Sequence, residues 1–147
     1  MGRESTVKHE IRQQDGTAIV DLTPGRAIRL HCLECVGWEA SGVYECGGDE
    51  LLFGGRCGFY PYRLGKGRPS VKTIHKECLL CMGGEPGKAR QNRASRMVED
   101  CRSFLCCLWP YREGSNPAMK GRPMTAARKA LKRHAIRACG ALEALKL

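Results

Sequence analysis

The chain has 147 residues, among them ten cysteines and 18 glycines, and only 6% of it is aromatic. A chain this short and this poor in aromatic bulk builds a marginal core unaided, so cysteine-held staples are expected to make up the shortfall. A net charge of +10 points to a polyanionic partner, most simply nucleic acid, and the absence of any run near the roughly 18 apolar residues of a membrane span excludes a membrane helix.

In chain order, residues 1–23 are expected to form an N-terminal β-hairpin. VKHEIRQ and TAIVDL alternate polar and apolar residues around a QDG turn. Thr23-Pro24 then reads as an N-cap followed by proline at the first helical position. The helix it starts, through Arg26 to about Leu33, delivers a first CxxC pair and ends near Gly37. Pro69-Ser70 predicts a second helix, through Ile74 to about Leu79, which delivers a second CxxC pair and ends near Gly83. Residues 84–97 read as a polar, basic insertion leading into a short helix. A final amphipathic helix is expected from about Pro123 to Lys146, with Met124, Ala127, Leu131, Ala135, Ala138, Leu142 and Leu145 on one stripe.

The sequence repeats. AIRLHCLECVGW, VYEC and CGFYPYRLGKGRP recur in the same order as TIHKECLLCMGG, VEDC and CCLWPYREGSNP. Cys32 and Cys35 match Cys78 and Cys81, Cys46 matches Cys101, and Cys57 matches Cys106. Four thiolates around one Zn²⁺ make a closed, structural tetrahedron. The repeat therefore predicts one site of Cys32, Cys35, Cys46 and Cys57 and a second of Cys78, Cys81, Cys101 and Cys106, two zinc ions per chain. An iron–sulfur cluster uses the same ligands. Cys107 stands as an alternative ligand in the second site, and His31 and His75 are expected to be exposed helix residues. MGRESTVKHEIRQQDG lacks the apolar stretch of a signal peptide, which favours a reducing compartment and metal over disulfides.

The fold class expected is thus a small, zinc-stabilised α+β protein. It has the hairpin, zinc modules at 24–69 and 70–117, short helices, and a basic C-terminal helix in 118–147. In each module the aromatic-Pro-Tyr-Arg segment is expected to cover the cluster. Arg63 and Arg112 would donate to thiolates or, alternatively, contact phosphate.

Positive charge is uneven along the chain. Arg63, Lys66, Arg68, Lys72 and Lys76 occur with no acid among residues 63–76, and the insertion adds Lys88, Arg90, Arg93 and Arg96. The last helix carries Arg128, Lys129, Lys132, Arg133 and Arg137 opposite its apolar stripe. Apart from Lys76, these are the candidate nucleic-acid contacts, with DNA favoured over RNA. Lys/Arg contacts to phosphate give affinity without sequence choice and make it salt-dependent. The bland alternative for the last helix is packing or dimerisation.

AIRLHCLECVGW…CGFYPYRLG and ECLLCMGG…VEDC…CLWPYREG resemble a group of small, poorly characterised phage and prophage zinc-binding proteins. Their pattern is a CLxC start, a VxxC middle and a CPLxPYRxG end. The resemblance spans roughly residues 27–69 and 74–117. It implies metal and a mobile-element origin in the cytoplasm of a bacterial host cell. Gly58 and Cys107 stand where proline is usual, and two copies occur where one is common. A regulatory factor of transcription is the function expected, or else an adaptor that binds a host polymerase or defence protein. The acids form no recognisable catalytic set, so no enzyme is expected; a nuclease with structural zinc is the form such an activity would take.

Overall fold

A computed structural model describes residues 6–49, 56–84 and 91–120. The chain is a small α+β protein, with one antiparallel hairpin and a few short helices among the described residues. The expected C-terminal helix lies outside the described residues, as do Lys88, Arg90, Arg128, Lys129, Lys132, Arg133, Arg137 and Cys139.

Strands β1 (Val7–Gln13) and β2 (Gly16–Leu22) pair from Val7↔Leu22 to Gln13↔Gly16. The turn is therefore Gln14-Asp15, one residue earlier than the QDG reading centred it, with Gly16 at φ 131°. Side chains alternate between faces of a strand. Val7, His9 and Ile11 face inward with Ala18, Val20 and Leu22, while Lys8, Glu10 and Arg12 are exposed.

Helix α1 runs Pro24–Cys35 and α3 runs Val71–Cys81. Both start as their caps predict: Thr23 accepts from the Arg26 N–H at 3.2 Å and Ser70 from the Lys72 N–H at 3.2 Å. Both stop at a glycine that takes the left-handed conformation, Gly37 at φ 74° and Gly83 at φ 77°. The stop fixes each CxxC pair on the last turn of its helix. Two shorter helices follow, α2 (Ala40–Glu45) and α4 (Gln91–Glu99). Each buries a valine, Val43 or Val98, which are 1% exposed.

One core joins these parts. Ile11 and Leu22 come from the hairpin, Ala27, Ile28 and Phe59 from the first half, and Ile74, Cys107, Leu108 and Tyr111 from the second. The hairpin leans on the second half. Arg12 donates its backbone N–H to Leu105 O at 3.0 Å, and His9 stacks on Trp109 with ring centroids 5.7 Å apart. The Tyr111 hydroxyl, with its side chain fully buried, donates to Leu22 O at 2.8 Å. Burial pushes this phenol up to about 12, so it remains a donor throughout the neutral range. Tyr111→Phe should cost about 1 kcal/mol, the net worth of a buried neutral hydrogen bond. A melting temperature lowered by a few degrees, with the native near-ultraviolet spectrum retained, is the expected readout.

Candidate metal centres

The cysteines of the first half are delivered by separate pieces of chain. Cys32 and Cys35 lie in the last turn of α1. Cys46 follows α2 directly, where the buried Val43 anchors that short helix. Cys57 comes after the bridge between Asp49 and Arg56 and donates its N–H to Gly48 O at 2.7 Å. The second half uses the same devices. Cys78 and Cys81 end α3, and Cys101 follows α4, where its N–H reaches Val98 O at 3.2 Å. Cys57 and Cys106 hold equivalent turns: Tyr60 N–H donates to Cys57 O, and Trp109 N–H to Cys106 O, each at 3.1 Å.

Electrostatics groups the thiols. Burial pushes the Cys32 thiol up to about 12, and Cys57, Cys35 and Cys46 push it the same way. Burial likewise pushes Cys78 up to about 12, with Cys106, Cys81 and Cys101 adding to it. Cys32 and Cys78 each thus lie near three further cysteines. No disulfide joins any of the described cysteines. Concentrating thiols in this way is unfavourable for thiolates unless a cation is among them.

The arginines of the two aromatic-Pro-Tyr-Arg segments behave alike, and differently from the expectation that they serve thiolates or phosphate. Arg63 donates from Nε to Val43 O at 3.2 Å and from Nη1 to Tyr60 O at 2.9 Å. Arg112 donates from Nε to Val98 O at 3.2 Å and from Nη1 to Trp109 O at 3.1 Å. Each guanidinium lies over its own aromatic ring, 3.9 Å from the Tyr60 centroid and 4.0 Å from that of Trp109. The reason is geometric. Helices α2 and α4 end in carbonyls with no partner further along the helix, and a planar guanidinium satisfies them while stacking on the ring. The arginine therefore ties the helix that precedes the third cysteine to the turn that follows the fourth. The carbonyl of each arginine is held in turn, Arg63 O by Arg29 Nη1 at 2.9 Å and Arg112 O by His75 Nδ1 at 2.7 Å. His75 is thus half-buried with its proton on Nδ1, a correction to the exposed role expected of it.

His31 departs further from that expectation. Its ring meets Phe59 edge-on at 5.3 Å, its Nδ1 is buried without a hydrogen-bond partner among the described residues, and burial lowers its pKa. Cys107 is also placed differently. It is Cys106 that acts on the Cys78 thiol, whereas Cys107 is buried in the shared core. Its side chain hydrogen-bonds Cys106, which raises the Cys107 pKa and lowers that of Cys106. The ligand atoms of His31, Glu34 and Cys107 all lie within 4.8 Å of one another, a group able to hold a metal ion. A cavity of about 450 Å³ adjoins it, lined by His31 and Glu34 together with Cys78, Cys81, Cys101 and Cys106.

The candidate nucleic-acid residues within the described chain are spread over its surface. Lys66 and Arg68 are exposed in the segment before α3, Lys72 and Lys76 are exposed one turn apart on α3, and Arg93 and Arg96 are exposed on α4. No family model, curated protein or solved structure matches the chain.

Proposed function

We propose that the protein is a non-enzymatic, zinc-binding, nucleic-acid-binding factor of the phage or prophage regulatory kind. Two tandem four-cysteine modules form its scaffold, each holding one Zn²⁺. The observation that carries the metal reading is the duplicated assembly: Cys32 and Cys78 each lie near three further cysteines, in two parts braced by the same arginine-to-carbonyl bonds. Four thiolates suit Zn²⁺ in a closed structural site. The same fit supports a scaffold rather than a reaction centre, because such a site keeps no open position.

The nucleic-acid reading rests on charge. With Arg63 and Arg112 engaged by the backbone, phosphate contacts fall to the exposed Lys66, Arg68, Lys72, Lys76, Arg93 and Arg96 and to the basic residues beyond Lys120. Gel shifts on random duplex DNA, single-stranded DNA and RNA test it. With six or more phosphate contacts, affinity should fall by about a thousandfold between 50 and 200 mM salt. Absence of binding to all three at the lower salt would refute the reading.

A further inference from the structure

We propose that His31, Glu34 and Cys107 form a third metal-binding site, for an ion of the Zn²⁺ class, that clamps the two halves of the chain together. It goes beyond the reading of two four-cysteine sites and uses none of those eight cysteines.

The donor set is of the right chemistry. An imidazole nitrogen, a carboxylate oxygen and a thiolate sulfur are the three ligand types that Zn²⁺ accepts. His31 and Glu34 stand three residues apart in α1, a spacing that puts both on one face of a helix. Cys107 approaches that face from the second half and is 4% exposed. In a tetrahedral site with metal–ligand bonds of 2.0–2.3 Å, donor atoms sit about 3.3–3.8 Å apart. Donors already within 4.8 Å of one another need close by only about 1 Å to reach that geometry. Three protein donors leave a tetrahedral ion one position for water, and the adjoining cavity is bordered by His31 and Glu34.

A second observation concerns the histidine alone. His75 is committed to a backbone carbonyl, but the buried Nδ1 of His31 has no such partner among the described residues. Buried polar atoms without partners are uncommon and call for an explanation, an unplaced ion among them.

The site is also foreign to the repeat. In the register that pairs Cys32 with Cys78 and Cys57 with Cys106, the counterparts of His31, Glu34 and Cys107 are Glu77, Leu80 and Gly58. Neither copy carries the triad by itself, and its counterparts do not rebuild it on the other side. The alternative for Cys107 is to remain a thiol that donates to Cys106, tuning the second four-cysteine cluster from outside.

Metal counting on the full chain decides between these. The protein is stripped, reloaded with Zn²⁺ alone, desalted and counted by mass spectrometry. Wild type should hold three ions, and Cys107→Ala two. Glu34→Gln is the second variant, since Glu34 is exposed and its amide isostere does not disturb packing. It should weaken the third ion at least tenfold in competition with a chromophoric chelator and leave the others unchanged. Two ions in wild type and in both variants would overturn the clamp while leaving the four-cysteine sites intact. Three ions in wild type and both variants, held equally tightly, would overturn it as well. One ion in wild type that both variants weaken or lose would support the clamp and refute the four-cysteine modules instead.

Discussion

Removal of metal with a chelator at pH 7 is expected to abolish the cooperative thermal transition of this protein, and Cys78→Ser is expected to do nearly the same. Structural zinc in small modules contributes an apparent ~10–16 kcal/mol, whereas a whole domain is net stable by only about 5–15 kcal/mol. Loss of one such ion is therefore as large as, or larger than, the whole stability available. The reason lies in the composition: among the described residues the main core is a small cluster centred on Ile11, Leu22, Ile28, Phe59, Ile74, Leu108 and Tyr111. Circular dichroism with and without chelator reads the result, and an unchanged melting temperature would refute a structural role for metal.

The pH dependence gives a sharper form of the same prediction. In the metal-free chain, burial raises the Cys32 and Cys78 thiols from 9.0 to about 12. A folded-state pKa above the unfolded one favours folding below about pH 9, and that contribution is lost as pH rises through 12. In the metal-loaded chain protons compete with the ion, so stability should instead fall as the solution is acidified. Acid titration of the loaded protein, followed by circular dichroism, should therefore show unfolding coupled to release of metal. A loaded protein whose stability does not fall on acidification would contradict ligation of metal by these thiols.

Gly48→Ala is expected to destabilise the first half by about 2–4 kcal/mol, combining a left-handed non-glycine residue with overpacking. Gly48 sits at φ 74°, and a Cβ there would lie 2.7 Å from Cγ of Tyr60. The tyrosine ring has little freedom to retreat, because Arg63 covers it at 3.9 Å and Arg56 approaches at 5.2 Å. Nor does the backbone, since Gly48 O holds the Cys57 N–H, so any shift is passed to the fourth cysteine of the set. Gly37→Ala provides the comparison: φ is also 74°, but nothing lies within 4 Å of the added methyl. It should cost only about 1–2 kcal/mol. Urea titrations of both variants check the difference, and equal losses would refute the steric part of the argument.

Local rules made part of this architecture legible in the sequence. The hairpin follows from the turn residues between VKHEIRQ and TAIVDL, although Ala18-Ile19-Val20 breaks the alternation and leaves Ile19 exposed, and α1 and α3 follow from Thr23, Ser70 and their terminal glycines. The proposed grouping of cysteines comes from the sequence alone, which states the same pattern twice. Helix α2 was not legible: Ala40–Glu45 is six residues, includes Gly42, and is held by the burial of Val43 and by Arg63, a residue 20 positions away. The arginines were misassigned because the chemistry of thiolates and the chemistry of helix-end carbonyls ask for the same donor. The meeting of His31, Glu34 and Cys107 depends on how the two halves pack, and no local pattern encodes that. The one available hint was that Cys107 occupies the place of Gly58 in the repeat.

The bond from Tyr111 to Leu22 also has a consequence in time. The hairpin is synthesised before either half, yet its partner hydroxyl lies 89 residues later. The inward face, with Ile11 and Leu22, meets Ala27, Ile28 and Phe59 of the first half and is completed only by Ile74, Leu108 and Tyr111 of the second. A two-stranded hairpin is marginal alone, and closing so long a loop is entropically costly before it is rewarded. Each half can gather its cysteines from nearer chain, Cys32 to Cys57 and then Cys78 to Cys106. The hairpin's bonds to Leu105 and Tyr111 can therefore close only after the second half has been made, so that the first segment synthesised is tied down by the last one described.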